Sequence, residues 1–342
     1  MARKPGMTAL AQAAGVSVAT VDRVLNGRET VAAATREAVA AAAARIGHPA
    51  AGRLSSTPPD RPEVRFGVVL HKQGQDFYKA FAEELHRAVA AAQGVNGQLV
   101  LEFSTSQSPS EMAGLLRSMA GRCDVLAATA VNHPEVTAAV EDLRTTGLAV
   151  YALLSDFAQG VRAGYLGLNN LKVGRTAGWV MALAAQGPGK MAVFVGGNRW
   201  HGHELREAGF RSYMRECAPR LTVLDTLVNL ETRQLTYEAT LNLLARQPEL
   251  RGIYVAGGGM EGAIAALRET RTPGTIPLVV SALTPDSRAG LAEGVVTMVV
   301  DTPLEKLCRD LIEQMRKVAQ NGVGTQGTQH FLPPDLHVAE SI

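Results

Sequence analysis

The sequence predicts an α/β protein in which a small all-α domain precedes a larger domain built on parallel sheets in two lobes. The first observation is a pair of short helical segments around Gly15, within residues 7–27. The second is a long alternation of short apolar runs and amphipathic stretches from Val64 onward. The third is the restart of this alternation after Gly167, which two similar lobes would produce.

These patterns divide the 342 residues into three parts. We predict a helix-turn-helix domain at 1–49, a linker at 50–62 and a two-lobed domain at 63–330. The expected lobes are 63–168 with 276–301, and 169–275 with 302–330. In such folds a ligand binds outside the carboxyl ends of the strands, between the lobes.

The composition, 46% hydrophobic and 19% charged residues, is that of an ordinary globular chain. Residues 1–57 hold seven Lys/Arg against three Asp/Glu, so a basic head with a charge of +4 precedes a body with a charge of −2. No secretory signal is recognisable, and the alanine-rich run Ala38 to Ala44 is far too short to span a bilayer. We therefore expect a cytoplasmic protein without a membrane partner.

The sequence contains no sign of a metal site, a cofactor or an enzyme. Cys123, Cys217 and Cys308 have no CxxC spacing, and His201 with His203 lacks a third ligand. GxSxG and Walker A motifs are absent, and the glycines at 257–259 lack the GxGxxG spacing. We therefore expect a binding protein with no cofactor and no bound metal.

The helical head has the order that a helix-turn-helix requires. Thr8 can cap the first helix and Gly15 can end it, Ser17 can cap the second helix and Gly27 can close it. At about 100° per residue, Val21, Val24 and Leu25 share the core side of the second helix. The opposite side carries Ser17, Val18, Ala19, Thr20, Asp22, Arg23 and Asn26.

That opposite side has the chemistry needed to read DNA. Arg23 can bond guanine, Val18 and Ala19 can contact thymine methyls, and Asn26, Ser17 or Thr20 can hold phosphates. Asp22 has the wrong charge for a phosphate and can accept from cytosine or orient Arg23 or Arg28. The alternative is a helical hairpin with a solvated Arg/Asp face, which the two-helix pattern alone does not exclude.

A third helix follows from Ala32 to Ile46 and is stopped by Gly47 and Pro49. The run "AGVSVATVDRVLNG", followed by "TREAV" and "IGHP", resembles the DNA-binding headpiece of the LacI/GalR family of bacterial repressors. The resemblance implies that the second helix enters the major groove of double-stranded DNA. Asp22 departs from it, since most of the family has serine there.

The resemblance also implies a hinge helix after the headpiece, with a leucine that wedges into the minor groove. Here Leu54 is the candidate wedge and Arg53 its phosphate partner, although Gly52 weakens a helix and Leu54 lies closer to Pro49 than is usual. A plain Ser/Pro-rich tether from Gly52 to Pro62 is the alternative.

The body resembles the type I periplasmic sugar-binding fold that this family carries as its effector domain. The similarity covers nearly all of residues 62–320, with "GLNN", "ELREAGF" and "LLARQPELRGIYVAGGGMEGAIAAL" in the family's order. It implies a cleft lined by polar side chains at strand ends, a sugar-stacking Phe77 or Tyr78, and an arginine, Arg206, for ligand oxygens. The expected ligand residues are Gln75, Phe77, Tyr78, Thr129, Ser155, Asp156, Asn169, Arg206 and Asp301.

Each of these residues also has a purely structural alternative: Phe77 and Tyr78 can pack, Asp156 and Asp301 can cap, and Arg206 can be solvated. The glycines at 257–259 and the run Ser281-Ala282-Leu283 depart from the family's polar pattern, so its usual sugars need not apply.

Together with the resemblance, the sequence predicts a homodimeric transcriptional regulator that binds operator DNA and a small sugar, polyol or sugar derivative. A repressor is the kind of regulator that we expect. A single headpiece contacts too few bases to be specific, which is why a dimer is expected. A solute-binding protein of a sugar transporter and a regulator without an inducer response are the alternatives.

Overall fold

A computed structural model of the protein describes residues 5–26, 31–54, 61–197, 199–322 and 327–342, without the side chains of residues 33, 52 and 53. The chain divides into two compact units, Met1–Pro62 and Glu63–Ile342. The division thus falls at the end of the linker predicted from the sequence. None of the helices in the described ranges combines the length and apolarity needed to cross a membrane.

The first unit is built from four helices, counted over its described residues. They are α1 (Met7–Ala14), α2 (Val18–Asn26), α3 (Ala33–Arg45) and α4 (Ala51–Leu54). Gly15 ends α1 with a left-handed φ of 67°, as its position predicted. The Ser17 hydroxyl accepts from the Thr20 N–H at 3.1 Å, so it caps α2. The predicted cap at Thr8 is wrong, because α1 already begins at Met7 after Gly6.

A small apolar core holds the three longer helices together. Leu10, Val21 and Val39 are fully buried in it, and the small side chains of Ala42 and Ala43 let α3 approach closely. Val24 and Leu25 pack at its edge, which confirms the predicted core side of α2. The helix-turn-helix predicted from the capping residues is therefore present, although Gly27 lies outside the described residues.

The second unit contains two parallel sheets with helices between consecutive strands. Its strands are β1 (Glu63–His71), β2 (Asn96–Ser104), β3 (Val125–Ala128), β4 (Val150–Leu153), β5 (Gly164–Leu168), β6 (Gly189–Val195), β7 (Leu221–Val223), β8 (Leu227–Val228), β9 (Leu250–Val255), β10 (Leu278–Ser281), β11 (Met298–Asp301), β12 (Thr328–Leu332) and β13 (Asp335–His337). Its helices are α5 (Asp76–Ala90), α6 (Pro109–Ser118), α7 (Pro134–Thr145), α8 (Asn170–Ala184), α9 (His201–Cys217), α10 (Arg233–Arg246), α11 (Met260–Thr270), α12 (Pro285–Ala292), α13 (Leu304–Asn321) and a short 3-10 helix at Ala339–Ser341.

The strand orders define the lobes. The first sheet runs β12-β5-β4-β3-β1-β2, and the second runs β13-β11-β10-β9-β6-β7 with β8 beside β6. Of the described pairings, the one between β11 and β13 is antiparallel, whereas β1 for example is parallel to both its neighbours. Strands such as β3 and β4 are buried at every position, as expected for parallel strands covered on both faces.

The predicted division of the lobes is wrong for the last quarter of the chain. Residues 276–301 were expected in the first lobe, but β10 and β11 pair within the second sheet. Residues 302–330 were expected in the second lobe, but α13 packs on α5 and β1, and β12 joins the first sheet. Both errors have the same cause. Pairing between distant segments decides which lobe a strand joins, and local residue patterns do not predict such pairing.

We call the first sheet with α5, α6, α7 and α13 the first lobe, and the second sheet with α8 to α12 the second lobe. Three segments connect them: β5 to α8, β11 to α13, and the two prolines between β12 and β13. The predicted end at residue 330 is wrong, since strand pairing continues to His337. β12 and β13 escaped prediction because they are short edge strands with exposed polar residues.

Close packing of α8 on α9 depends on Gly174. A Cβ added there would lie 1.9 Å from the Arg206 carbonyl oxygen in α9, a distance that no real contact reaches. This approach brings the first turn of α8 and the first two turns of α9 together at one end of the second lobe. Their side chains at that end are described below.

We expect Gly174→Ala to destabilise the second unit by about 3 kcal/mol or more, because two backbones must separate. The matched control is Gly114→Ala in α6, where an added Cβ has no neighbour within 4 Å. Helix propensity predicts a gain of about 0.5–1 kcal/mol for that variant. Urea titrations of both proteins measure the difference, and equal midpoints would contradict the packing argument.

Candidate functional site

The second helix of the first unit presents the predicted polar side to solvent. Ser17, Val18, Ala19, Arg23 and Asn26 are exposed, with Val18 42% accessible. Thr20 and Asp22 are half-buried beside them. Ser17 and Thr20 share a hydrogen bond between hydroxyls of 2.8 Å at the start of the helix. The small residues at this end leave the helix backbone open to close approach, which a DNA groove requires.

Asp22 has a partner that the sequence analysis did not consider. The Asn26 amide donates to the Asp22 carboxylate across one helical turn at 2.7 Å. This bond fixes the amide orientation of Asn26 and partly satisfies the carboxylate that would otherwise face DNA phosphates. Contacts of Asp22 with cytosine or with an arginine remain predictions.

The hinge candidates divide between described and undescribed residues. α4 spans Ala51–Leu54, and Leu54 packs against the apolar core of the first unit together with Ala51. In the free protein this leucine therefore belongs to that core, and its role as a wedge stays a prediction. The side chain of Arg53 lies outside the described residues.

In the second unit a cavity of about 90 Å³ opens where the carboxyl ends of both sheets meet. Its walls come from loops after β1, β3, β4, β8, β9, β10 and β11, from the first turns of α5, α8 and α11, and from the first two turns of α9. The lining residues include Gln75, Phe77, Tyr78, Thr129, Leu153, Leu154, Ser155, Asn170, Trp200, Gly202, His203, Arg206, Glu231, Gly257, Gly258, Gly259, Met260, Glu261, Ser281, Ala282 and Thr302. This is the position that parallel α/β sheets favour for ligands.

Two thirds of the predicted ligand residues line this cavity; they are Gln75, Phe77, Tyr78, Thr129, Ser155 and Arg206. The ring of Phe77 meets the rings of Tyr78 and Phe81 edge-on at 5.2 and 6.1 Å, so it is held at the wall by aromatic packing. Tyr78 is buried, and burial raises the pKa of its hydroxyl well above the usual value, which keeps it a neutral donor.

Asp156 does not line the cavity. Its carboxylate forms a two-pronged ion pair with Arg162, which includes a bond of 2.8 Å to the second guanidinium nitrogen, and both side chains are buried. Arg162 also donates to the Thr328 carbonyl, so the pair ties the loop after β4 to β12. A buried charge needs such a partner, which is why Asp156 turns away from the ligand; its neighbour Ser155 lines the cavity instead.

Asn169 and Asp301 also miss the cavity by one residue. Asn169 caps α8 by accepting from the Lys172 N–H at 3.1 Å, and Asn170 lines the wall in its place. Asp301 accepts from the Thr302 N–H at 2.9 Å, and Thr302 faces the cavity. Helix capping and the alternation of side chains along a strand decide these directions, and a one-residue error reverses them.

Glu231 is the main functional candidate that the sequence analysis missed. It follows β8, a strand too short for a recognisable pattern, and the polar residues after it were the available signal. Its Oε1 accepts from the Gly258 N–H at 3.2 Å. Burial raises the pKa of Glu231, but the His203 ring in its protonated form, the Lys72 ammonium and the Gly258 N–H outweigh burial and hold the pKa below its usual value. A buried, ionised carboxylate therefore faces the cavity.

His203 lies beside this carboxylate as a neutral ring. Burial lowers its pKa to about 4, and the attraction of Glu231 offsets only part of that effect. Its Nδ1 accepts from the Gly196 N–H at 3.2 Å, so the proton lies on Nε2, which is 3.6 Å from Glu231 Oε1. Among the described residues no group of three potential metal ligands converges, here or elsewhere.

Arg206 reaches the base of the cavity from α9. Its Nε donates to Asn170 Oδ1 at 2.7 Å, and one terminal nitrogen donates to the Ala256 carbonyl and the Ser281 hydroxyl at 2.7 and 3.1 Å. These bonds fix the plane of the guanidinium. A ligand oxygen would thus meet an arginine whose orientation is already determined.

Several buried polar atoms have no hydrogen-bond partner among the described residues. Thr129 Oγ1, Trp200 Nε1 and Glu231 Oε2 belong to this set, and all three residues line the cavity. They supply one hydroxyl, one donor and one charged acceptor. Buried polar atoms without hydrogen bonds are costly, and Glu231 Oε2 has the Lys72 ammonium at 3.8 Å, beyond hydrogen-bond distance. A site that presents three such atoms suits a small molecule rich in hydroxyl groups.

We expect the free energy of unfolding to fall as the pH drops from 6.5 toward 4, because the unfolded chain binds a proton at each buried histidine that the folded chain refuses. In the folded protein His203 and His71 each have a pKa of about 4. Below that pH each histidine has lowered the free energy of unfolding by about 3 kcal/mol. Chemical unfolding at a series of pH values measures the slope. His203→Asn should reduce the slope of the free energy of unfolding against pH. An unchanged slope would show that His203 does not contribute to this pH dependence.

Two family models together match most of the chain. The model of bacterial regulatory proteins of the lacI family matches residues 7–49. The model of the periplasmic binding protein domain matches residues 66–323. A relative, the HTH-type transcriptional regulator MalR of Streptomyces coelicolor, is 31% identical over 162 residues. Those residues are 46% of this chain and 44% of that protein, so the match spans less than half of either.

Solved structures with this fold include several solute-binding proteins. One from Agrobacterium vitis, bound with α-D-tagatopyranose, superposes with a TM-score of 0.73 at 17% identity and covers 81% of this chain and 95% of that chain. One from Burkholderia graminis, in complex with D-arabinose, gives 0.74 at 20% identity over 82% and 97%. At these identities the likeness shows the fold of the second unit. The chain therefore belongs to the family of the periplasmic binding protein domain, which makes up most of its length, and its first residues match the model of bacterial regulatory proteins of the lacI family.

Proposed function

We propose that the protein is a transcriptional repressor whose affinity for operator DNA is set by a small sugar, polyol or sugar derivative. The observation that carries the proposal is the pairing, in one chain, of an exposed polar side on α2 with a cavity lined by three buried polar atoms that lack a hydrogen-bond partner among the described residues. The headpiece also distinguishes the chain from a transporter's binding protein, which has no use for one.

The DNA side of the proposal rests on charge and shape. Residues 1–57 carry a net charge of +4, which attracts the phosphate backbone irrespective of sequence. The exposed side of α2 then reads bases through Arg23, with Val18 and Ala19 against thymine methyls. Two copies of the chain would read a pseudo-palindrome with half-sites about one helical turn apart, because one headpiece contacts too few bases.

The ligand side rests on the chemistry of the cavity wall. Glu231 offers a charged acceptor, Trp200 an indole donor, and Arg206 a guanidinium held in a fixed plane. Phe77 adds an aromatic edge of the kind that packs on a sugar ring. The structural neighbours described above bind tagatose and arabinose, which supports the sugar class without fixing the compound.

In this proposal, lobe closure links ligand binding to DNA binding. A ligand that contacts both lobes favours one lobe arrangement, and its preference for that arrangement equals its effect on operator affinity. Couplings of this kind amount to about 1–3 kcal/mol. In this proposal the protein acts in the cytoplasm, where operator DNA is found.

We expect Arg23→Ala to weaken binding to the upstream region of the protein's own gene by about 5- to 150-fold, because a bidentate contact to guanine is lost. Arg36→Ala is the matched control: it removes the same charge from α3, where Arg36 bonds the Val31 carbonyl. Mobility-shift titrations at fixed salt measure both. Equal affinities of the two variants would contradict the assigned recognition side.

We expect a free sugar from a panel that includes tagatose, fucose and arabinose to raise the melting temperature by about 5–10 °C at 100 times its dissociation constant. Glu231→Gln should abolish most of the shift, since it removes the charged acceptor. Glu141→Gln, an exposed carboxylate on α7, should leave it unchanged. A panel without any shift would contradict a sugar or polyol ligand.

A further inference from the structure

Hydrogen bonds between described residues join the two lobes along the cleft after β4, after β3 and after β1. After β4, the Gly202 N–H donates to the Ser155 hydroxyl at 3.0 Å. After β3, the Asn132 N–H donates to the Arg199 carbonyl at 2.9 Å. After β1, Lys72 and Gln75 reach across to Leu230 and Glu231.

The meeting place after β1 lies away from the two connections that leave strands β5 and β12. In the first sheet β1 is three strands beyond β5, whereas the third connection leads from β11 into α13, which packs on α5 and β1. Neighbouring strands are about 4.8 Å apart, so the separation of β1 from β5 is about 14 Å. In the second sheet β11 and β13 carry the connections, and β8 lies at the opposite side beside β6.

The meeting place after β1 involves charged side chains. Lys72 Nζ donates to the Leu230 carbonyl and lies 3.8 Å from Glu231 Oε2. Gln75 Nε2 donates to the Glu231 carbonyl at 2.8 Å. The Lys72 and Glu231 side chains are 19% and 8% exposed, so solvent and salt screen their attraction less than at the surface.

The backbone at both ends of these bonds is held in an unusual conformation. Lys72, Leu230 and Glu231 have left-handed φ values of 44°, 50° and 54°, although none of them is glycine. Such conformations persist where the surrounding contacts stabilise them, and they are frequent at ligand clamps and switch regions. Here they direct the lysine and the Leu230 carbonyl toward each other.

We propose that Lys72 and Gln75 form a latch on Leu230 and Glu231 that closes the cleft in the absence of ligand. The proposal concerns the regulation of the cavity and rests on the proposed function of that cavity. The free protein then already populates the closed lobes, and a ligand must enter when the latch opens. Glu231 has two roles in this device, since its carbonyl holds the latch and its Oε2 faces the cavity.

Tryptophan quenching can test the latch, because the chain has two tryptophans with opposite environments. Trp200, at the start of α9 in the second lobe, is 3% exposed and packs with residues of the first lobe such as Val69. Its ring lies 5.5 Å from that of His71 at the end of β1. Trp179 is 49% exposed on α8, so Trp179→Phe leaves Trp200 as the reporter of lobe closure.

In the ligand-free Trp179→Phe protein we expect weak acrylamide quenching of Trp200. Adding Lys72→Met should raise the quenching constant toward that of an exposed tryptophan and shift the emission to the red, because the lobes separate. Lys79→Met is the control, since Lys79 pairs with Asp76 at the surface of α5. Gln75→Leu, which removes the Nε2 donor, should act in the same direction and serves if Lys72→Met does not fold.

Quenching that is the same in the Lys72→Met, Gln75→Leu and control proteins would overturn the latch. That result would leave the proposed function intact, because the measurement uses neither DNA nor ligand. Conversely, an opened Lys72→Met protein would support the latch even if no sugar in the thermal-shift panel bound. Circular dichroism of each variant establishes that the comparison is between folded proteins.

Discussion

Parallel strands covered on both faces constrain every other feature of the second unit. Strands such as β3 and β4 are buried at each position, and neither carries a charged side chain. Charged groups then lie in the loops and at the helix starts that follow the strands, and parallel pairing brings the carboxyl ends of these strands to one edge of each sheet. Where these edges meet, Glu231 from the loop after β8 comes together with His203 and Arg206 from α9.

Desolvation determines the character of the groups that gather there. His203 is neutral because its ring is buried, whereas Glu231 keeps its charge because an N–H donor and a lysine compensate for burial. Asp156 obtains its compensation from Arg162 and is thereby withdrawn from the cavity. The same energetic rule therefore selects which carboxylate faces a ligand and which becomes a structural ion pair.

The two units obtain their stability in different ways. The first unit has a small core of Leu10, Val21, Val39 and alanines, and it leaves the polar side of α2 exposed. The second unit has a far larger apolar core and keeps unpaired polar atoms and left-handed backbone at its cleft, where Leu154 and Ala282 join the latch residues. Strain and unsatisfied groups of this kind are tolerated where binding uses them.

The sequence by itself determined the helix-turn-helix, the alternation of strands and helices, the boundary near residue 62 and six of the residues around the cavity. These follow from local signals: capping residues, helical periodicity and buried runs, each read within a few positions. Only the tertiary structure decided that β10 and β11 belong to the second lobe, that Asn170 rather than Asn169 faces the cavity, and that Glu231 meets Lys72. Those outcomes depend on pairing between distant segments and on burial, and neither is written in the local pattern of residues.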